Sequence, residues 1–164
     1  MSKSPQGAPS VNLLAVDTAT EGCSAACLAG DKSFERYAVD PQGHSRTLLG
    51  MVEAVLAEAR LERSALDALA YDAGPGSFTG IRIGAGVAQG LALGLEKPLL
   101  AVSSLMTLAE GARREQPDCN SVLAAIDARM DQVYWARLES DPEAPGHWRW
   151  DEMPCVSEPR EVAV

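Results

Sequence analysis

The chain has 164 residues, 46% of them hydrophobic, and a formal net charge of −9. That length holds one globular domain, or one domain and part of a second. The acidic balance argues against a nucleic-acid binder acting alone, no run of about 18 apolar residues argues for a membrane span, and four cysteines with no C-x-x-C pair, Cys23, Cys27, Cys119 and Cys155, read as small buried hydrophobes in a reduced, cytoplasmic protein.

The first ten residues, MSKSPQGAPS, have no apolar core and read as a disordered tail rather than a signal peptide. Val11 to Val16 reads as a strand ending at Asp17, and Cys23 to Leu28 as its return. After the Gly30-Asp31 turn a third strand is expected over Ser33 to Val39, ended by Pro41 to Gly43. Helical spacing runs from Ser45 to Arg60, with Leu48, Leu49, Val52, Val55, Leu56 and Ala59 on one face. Ala68 to Ala73 is a strand leading into Gly74-Pro75-Gly76-Ser77, and a long helix follows over Phe78 to Leu95. Pro98 to Val102 reads as a buried strand, and Ser103 or Ser104 caps a helix ending near Arg114. Gln116 to Asn120 reads as a linker. The order β-β-β-α-β-α-β-α predicts a mixed five-stranded sheet with helices packed on it, the ribonuclease-H-like unit of actin-like folds.

Residues 12–28 and 122–138 align without a gap. Leu13 meets Leu123, Ala15 meets Ala125, Asp17 meets Asp127, Ala26 meets Ala136 and Leu28 meets Leu138. Both copies read as a strand ending in Asp, a turn and a returning strand, and a third strand-like run follows each, Ser33 to Val39 and Trp148 to Met153. The expectation is a duplicated fold, with one unit over residues 11–115 and a partial second over 121–164, lacking the helices that should cover its sheet.

LLAVDTAT, HSRTLL, DAGPGSFTGIRIGAGVAQGLALGL and AIDARMDQVYWA resemble the TsaB (YeaZ) family of the actin-like (ASKHA) superfamily. The resemblance covers about residues 12 to 138, and family members are normally longer, so this chain looks shortened at its C-terminus. It implies a non-catalytic subunit. Such a subunit supports a related catalytic partner, TsaD, which with the ATPase TsaE forms threonylcarbamoyladenosine beside the anticodon of tRNA. It also implies a homodimer when the chain is alone, tRNA contacted only through the complex, and ATP in the complex but not bound firmly here.

Asp17, Thr18 and Thr20 resemble the first phosphate loop of actin-like kinases, with Asp127 as counterpart. Gly74, Gly76 and Ser77 form either a remnant phosphate loop or a tight strand-to-helix turn with Ser77 as cap. It is not a Walker loop, because no G-K-[ST] follows. His44 and His147 stand far apart in sequence, too few for a metal site. Ser77 lies outside a G-x-S-x-G context, so a peptidase reading finds no catalytic residue. An ATP-binding phosphotransferase is the rival reading. Thr47, Gly50, Ala54 and Ala57 form a small-residue stripe on the first helix, with Met51 beside it, and Gly86, Gly90 and Gly94 form another on the second. Small residues let a second helix approach closely, so these residues are the expected partner interface. Only Arg82 and Gln89 interrupt the second helix's apolar surface, which predicts burial on nearly all sides, in part by a partner.

Overall fold

A computed structural model describes residues 11–39, 43–144 and 146–162. The expected tail, Pro41, and the chain's last two residues lie outside the described residues. Among the described residues the fold is mixed α/β, with a five-stranded mixed sheet, a three-stranded antiparallel sheet and three α-helices.

The first sheet has the order β3-β2-β1-β4-β5. Strands β1 (Asn12–Asp17), β2 (Gly22–Ala29) and β3 (Lys32–Val39) form an antiparallel meander. β4 (Ala68–Asp72) and β5 (Leu99–Val102) join β1 in parallel. Side chains alternate across a strand, and Leu14, Val16, Cys23, Ala25, Cys27 and Leu69 all bury on one face. Helices α1 (His44–Ala59) and α2 (Phe78–Leu95) cover that face through Leu48, Val52, Val55, Leu56, Ala88 and Ala92. Both helices end in a left-handed residue, Arg60 and Glu96 (φ 54° in each). In each case the next amide reaches back to close the final turn, Leu61 N to Leu56 O and Lys97 N to Ala92 O.

Helix α3 (Ser104–Glu115), capped by Ser103, belongs to a separate core. Its Leu105 and Ala109 bury with Ala124, Ala136 and Leu138 of β6 (Ser121–Arg129) and β7 (Gln132–Ser140), beside Trp148 and Trp150 of β8 (Trp148–Ser157). The second sheet therefore has α3 on one face, a helix that the sequence reading counted with the first unit.

Several sequence expectations need correction. β5 was expected to be buried, yet it is the sheet edge, with Leu100 half exposed and Val102 exposed. Leu49 is 48% exposed, because the contact face of α1 is narrower than the apolar run. Cys23 and Cys27 are buried, but Cys155 is exposed and Cys119 half-buried. The gapless repeat holds on β6 and slips on β7. Leu13 pairs with Leu28, but Leu123 pairs with Arg137, because a bulge between Asp127 and Arg129 shifts the register by one residue. A one-residue slip turns a strand's other face inward, so Ala136 and Leu138 join the α3 core where the match would place Trp135 and Arg137, while Trp135 is buried apart from that cluster. β6 is also a sheet edge, whereas β1 lies inside its sheet.

Candidate functional site

Strands β1 and β4 run parallel and end in Asp17 and Asp72. The turns that follow them lock together. The Thr18 hydroxyl, fully buried, donates to Gly80 O (2.7 Å), and Ser77 N donates to Ala19 O (2.6 Å). Gly76 and Gly80 permit this closeness: a Cβ on Gly76 would lie 2.3 Å from Ala19 O, and one on Gly80 would lie 1.9 Å from Thr18 O. Gly84, one turn further along α2, would put its Cβ 2.6 Å from Thr18 Oγ1. Gly74 has φ +94°, a conformation that favours glycine.

The phosphate-loop residues are thus brought together, and their polar groups already have partners. Asp17 Oδ1 accepts from Ala19 N (2.8 Å), Thr20 Oγ1 from Gly22 N (3.3 Å) and Ser77 Oγ from Gly80 N (3.2 Å). Asp72, which sequence reasoning missed, accepts from Gly74 N (2.7 Å) and from the Ser104 hydroxyl. Burial raises the Asp72 carboxyl to about 6, with the neighbouring Asp17 charge adding to the rise against the hydrogen bonds of Ser104 and Gly74. Burial raises Asp17 as well, opposed by the Ala19 amide and by His44. The signal for Asp72 was present in the sequence: both parallel strands end in Asp before a turn. Both carboxylates line a cavity of about 230 Å³ on the sheet face away from α1 and α2, closed in part by Val102 and Thr107. A second cavity, of about 490 Å³, shares Val102 and Thr107 and reaches Met106, Glu110 and Trp148.

The helical stripes lie elsewhere. Gly50 and Ala57 are exposed, Ala54 is half-buried, and half-buried Met51 packs on the core. Thr47 donates its hydroxyl to Gly43 O (3.0 Å). Gly86, Gly90 and Gly94 are exposed, and a Cβ on any of them, as on Gly50, would meet nothing within 4 Å. The expected burial of α2 on nearly all sides does not occur within the chain. Phe78 and Leu93 are 73% and 82% exposed, and the Arg82 guanidinium stacks on the Phe78 ring at 3.4 Å. By length and composition α2 is apolar enough to cross a membrane, yet Arg82 and Gln89 interrupt it and its Gly80, Gly84, Ala88 and Ala92 side lies buried, as in a core helix.

The two turns closing on parallel strand ends and the helices on one sheet face define an actin-like α/β unit. Residues 39–144 match the family model described as TsaD: tRNA N6-adenosine threonylcarbamoyltransferase. The "tRNA threonylcarbamoyladenosine biosynthesis protein TsaB" of Escherichia coli K12 is 45% identical over 93% of this chain and 64% of its own length. The protein of that name from Haemophilus influenzae is 42% identical over 78% of this chain and 54% of its own. The solved structure "YeaZ from Pseudomonas aeruginosa" has a TM-score of 0.87 and 47% identity, covering 94% of this chain and 70% of that one. The chain belongs to the TsaB (YeaZ) family of TsaD-like, actin-like proteins. It spans between 54% and 64% of the length of those two curated relatives.

Proposed function

We propose that this chain acts as a non-catalytic subunit in forming threonylcarbamoyladenosine on tRNA, by binding a TsaD-type catalytic subunit. The observation that carries the reading is the open apolar side of α2, where Gly86, Gly90 and Gly94 meet nothing and Phe78 and Leu93 stand exposed. Interior glycine costs a helix about 1 kcal/mol relative to alanine. Three of them on a solvent-facing side make sense if another helix packs there. The names of the relatives place them in this modification. A homodimer through the same face when the chain is alone, a TsaE-type ATPase in the assembly, tRNA reached through it and a cytoplasmic location belong to the same proposal. The test is co-purification with the TsaD-type subunit, followed by a modification assay with and without this chain. Failure of the chain to bind that subunit or to raise its modification rate overturns the reading.

One observation favours an ATP-binding phosphotransferase instead: Asp17 and Asp72 side by side at parallel strand ends, facing a cavity. Against it, the amides of Ala19, Gly74, Ser77 and Gly80 all have partners inside the chain, and phosphoryl transfer relies on such groups to cradle phosphate. Calorimetric titration with Mg-ATP decides between the two, since tight binding lost in Asp17→Ala supports the enzyme. For a peptidase, Ser77 would need an adjacent base, but its hydroxyl accepts from Gly80 N while the His44 ring reaches Glu21 O.

A further inference from the structure

Four strands stand at sheet edges among the described residues, β3 and β5 in the first sheet and β6 and β8 in the second. Three of them carry the usual guards against pairing with another chain. β3 has Lys32, Glu35 and Arg36 along it. β5 is four residues long and follows Lys97 and Pro98. β8 has Pro154, the charges of Arg149, Asp151 and Glu152, and two register shifts against β7. β6 has none of these over residues 122–126, which read VLAAI, and its bulge begins only at Asp127. That is the composition of an interior strand. β1, its counterpart in the repeat, does lie inside its sheet, with residues 13–16 paired to both β2 and β4. Asn120 O accepts from Ser140 N (2.8 Å). An antiparallel ladder bonds every second residue to the same neighbour, so the backbone of Val122, Ala124 and Ile126 faces β7. Leu123 and Ala125, both exposed, turn their N–H and C=O groups away from it.

We infer that the open edge of β6 pairs with β6 of a second copy of this chain, antiparallel about a twofold axis at Ala124, so that the two second sheets become one continuous sheet. A twofold contact needs a surface that complements itself, and this edge does. Leu123 meets the partner's Ala125, and Ser121 meets the partner's Asp127. The exchanged backbone bonds at the centre then fall on Leu123 and Ala125, whose groups face outward. No like charges meet across the axis, where they would oppose pairing, because residues 119–126 carry no charge at all. That gap keeps the acidic surface of a chain with net charge −9 away from the centre of the contact. With β8 guarded, the pairing closes at two copies instead of growing into a fibre. The contact lies on the second unit, apart from the α1 and α2 face of the first.

The test uses the full chain carrying Gly90→Leu, which takes the α2 face out of any self-association. Analytical ultracentrifugation should show monomer passing to dimer as concentration rises, with a Kd below about 1 mM. Amide exchange at Leu123 and Ala125 should slow over the same concentrations. Leu123→Pro removes an outward N–H and no bond to β7, so it should leave a folded monomer. Leu123→Lys with Ala125→Lys sets like charges face to face across the axis and should weaken association most. Leu123→Glu with Ala125→Lys sets opposite charges face to face and should associate roughly tenfold more tightly than the double lysine variant. If Leu123→Pro fails to fold, the two charge variants still decide the matter. A chain that stays monomeric up to about 1 mM, equal association of the two charge variants, or protection of the Leu123 and Ala125 amides only when the TsaD-type subunit is added overturns the pairing.

Discussion

The glycines of α2 and of the loop before it divide into two kinds by what a methyl group would meet. At Gly76 and Gly80 a Cβ would collide with the backbone carbonyls of Ala19 and Thr18, and backbone gives way less easily than a flexible side chain. Gly80→Ala is expected to cost about 1–3 kcal/mol, as overpacking does. At Gly86 and Gly90 a Cβ meets nothing, so alanine there should stabilise the isolated chain by roughly 0.5–1 kcal/mol through helix propensity and a less flexible unfolded state. Urea titration of the three variants checks the contrast; a loss of stability in Gly86→Ala would mean that something already covers that face. Asp72 carries a pH prediction. Its carboxyl is raised from 3.8 to about 6 in the fold, so the folded state holds the proton more tightly than the unfolded one. Stability should therefore fall as pH rises from about 4 to about 6 and level off above. Glu110 works in the opposite sense and lower, held near 2 chiefly by its bond to Arg113, so its stabilisation is lost as pH falls below about 4.5. Between pH 4.5 and 6.5 the slope belongs mainly to Asp72, with a smaller share from Asp17, and Asp72→Asn should flatten most of it in denaturation curves.

The exposed side of α1 and α2 is where elements, rather than single residues, decide the outcome. Ala54 on α1 and Gly90 on α2 lie where a second helix is proposed to pack. Leucine at either position should force such an interface apart at about 1–3 kcal/mol, which is roughly ten- to a hundredfold in affinity. The variants should stay folded, because Leu48, Val52 and Val55 hold α1 on the sheet from the other side. Glu53 is unsuited as a control, since it pairs with Arg63; exposed Glu139 on β7 serves instead. Unchanged binding to the TsaD-type subunit in both leucine variants would place the interface elsewhere. The helices themselves were legible because their signals are local: the apolar run and the Ser77 cap set α2 at Phe78–Leu95, and Ser103 capped α3 as one of two candidates. What stayed hidden depends on distant partners. Ser104 and Asp72 lie 32 positions apart, so no local window joins them. β5 reads as buried because Leu99, Leu100 and Val102 are apolar, and only strand order makes it an edge. The β7 register depends on a bulge that apolar alternation alone does not announce.

At the scale of the whole chain the two cores invite separate measurement, and the composition supplies the probe. All three tryptophans, Trp135, Trp148 and Trp150, belong to the second sheet, so fluorescence excited beyond the absorption of Tyr37 and Tyr71, which lie in the first sheet, reports that unit alone. Trp148 sits on the α3 side, its indole donating to Glu110 (3.3 Å), and Trp135 donates to the Ser157 hydroxyl (2.9 Å). Leu105, fully buried in α3, is the largest side chain that the helix contributes to this core. Truncating it to alanine removes packing and leaves a cavity, at a cost of roughly 2–5 kcal/mol. If the second sheet depends on α3 for its core, Leu105→Ala should shift the fluorescence-detected urea midpoint far more than amide-exchange protection in α1 and in β1, which belong to the first core. Leu48→Ala should do the reverse, because Leu48 is buried between α1 and the first sheet. A chain that unfolds as one cooperative unit would show equal shifts by both probes in both variants. That outcome would mean that the contact at Asp72 and Ser104 couples the cores by more than either core's own margin of stability. Unequal shifts would instead leave that contact as a weak join between two units that open separately.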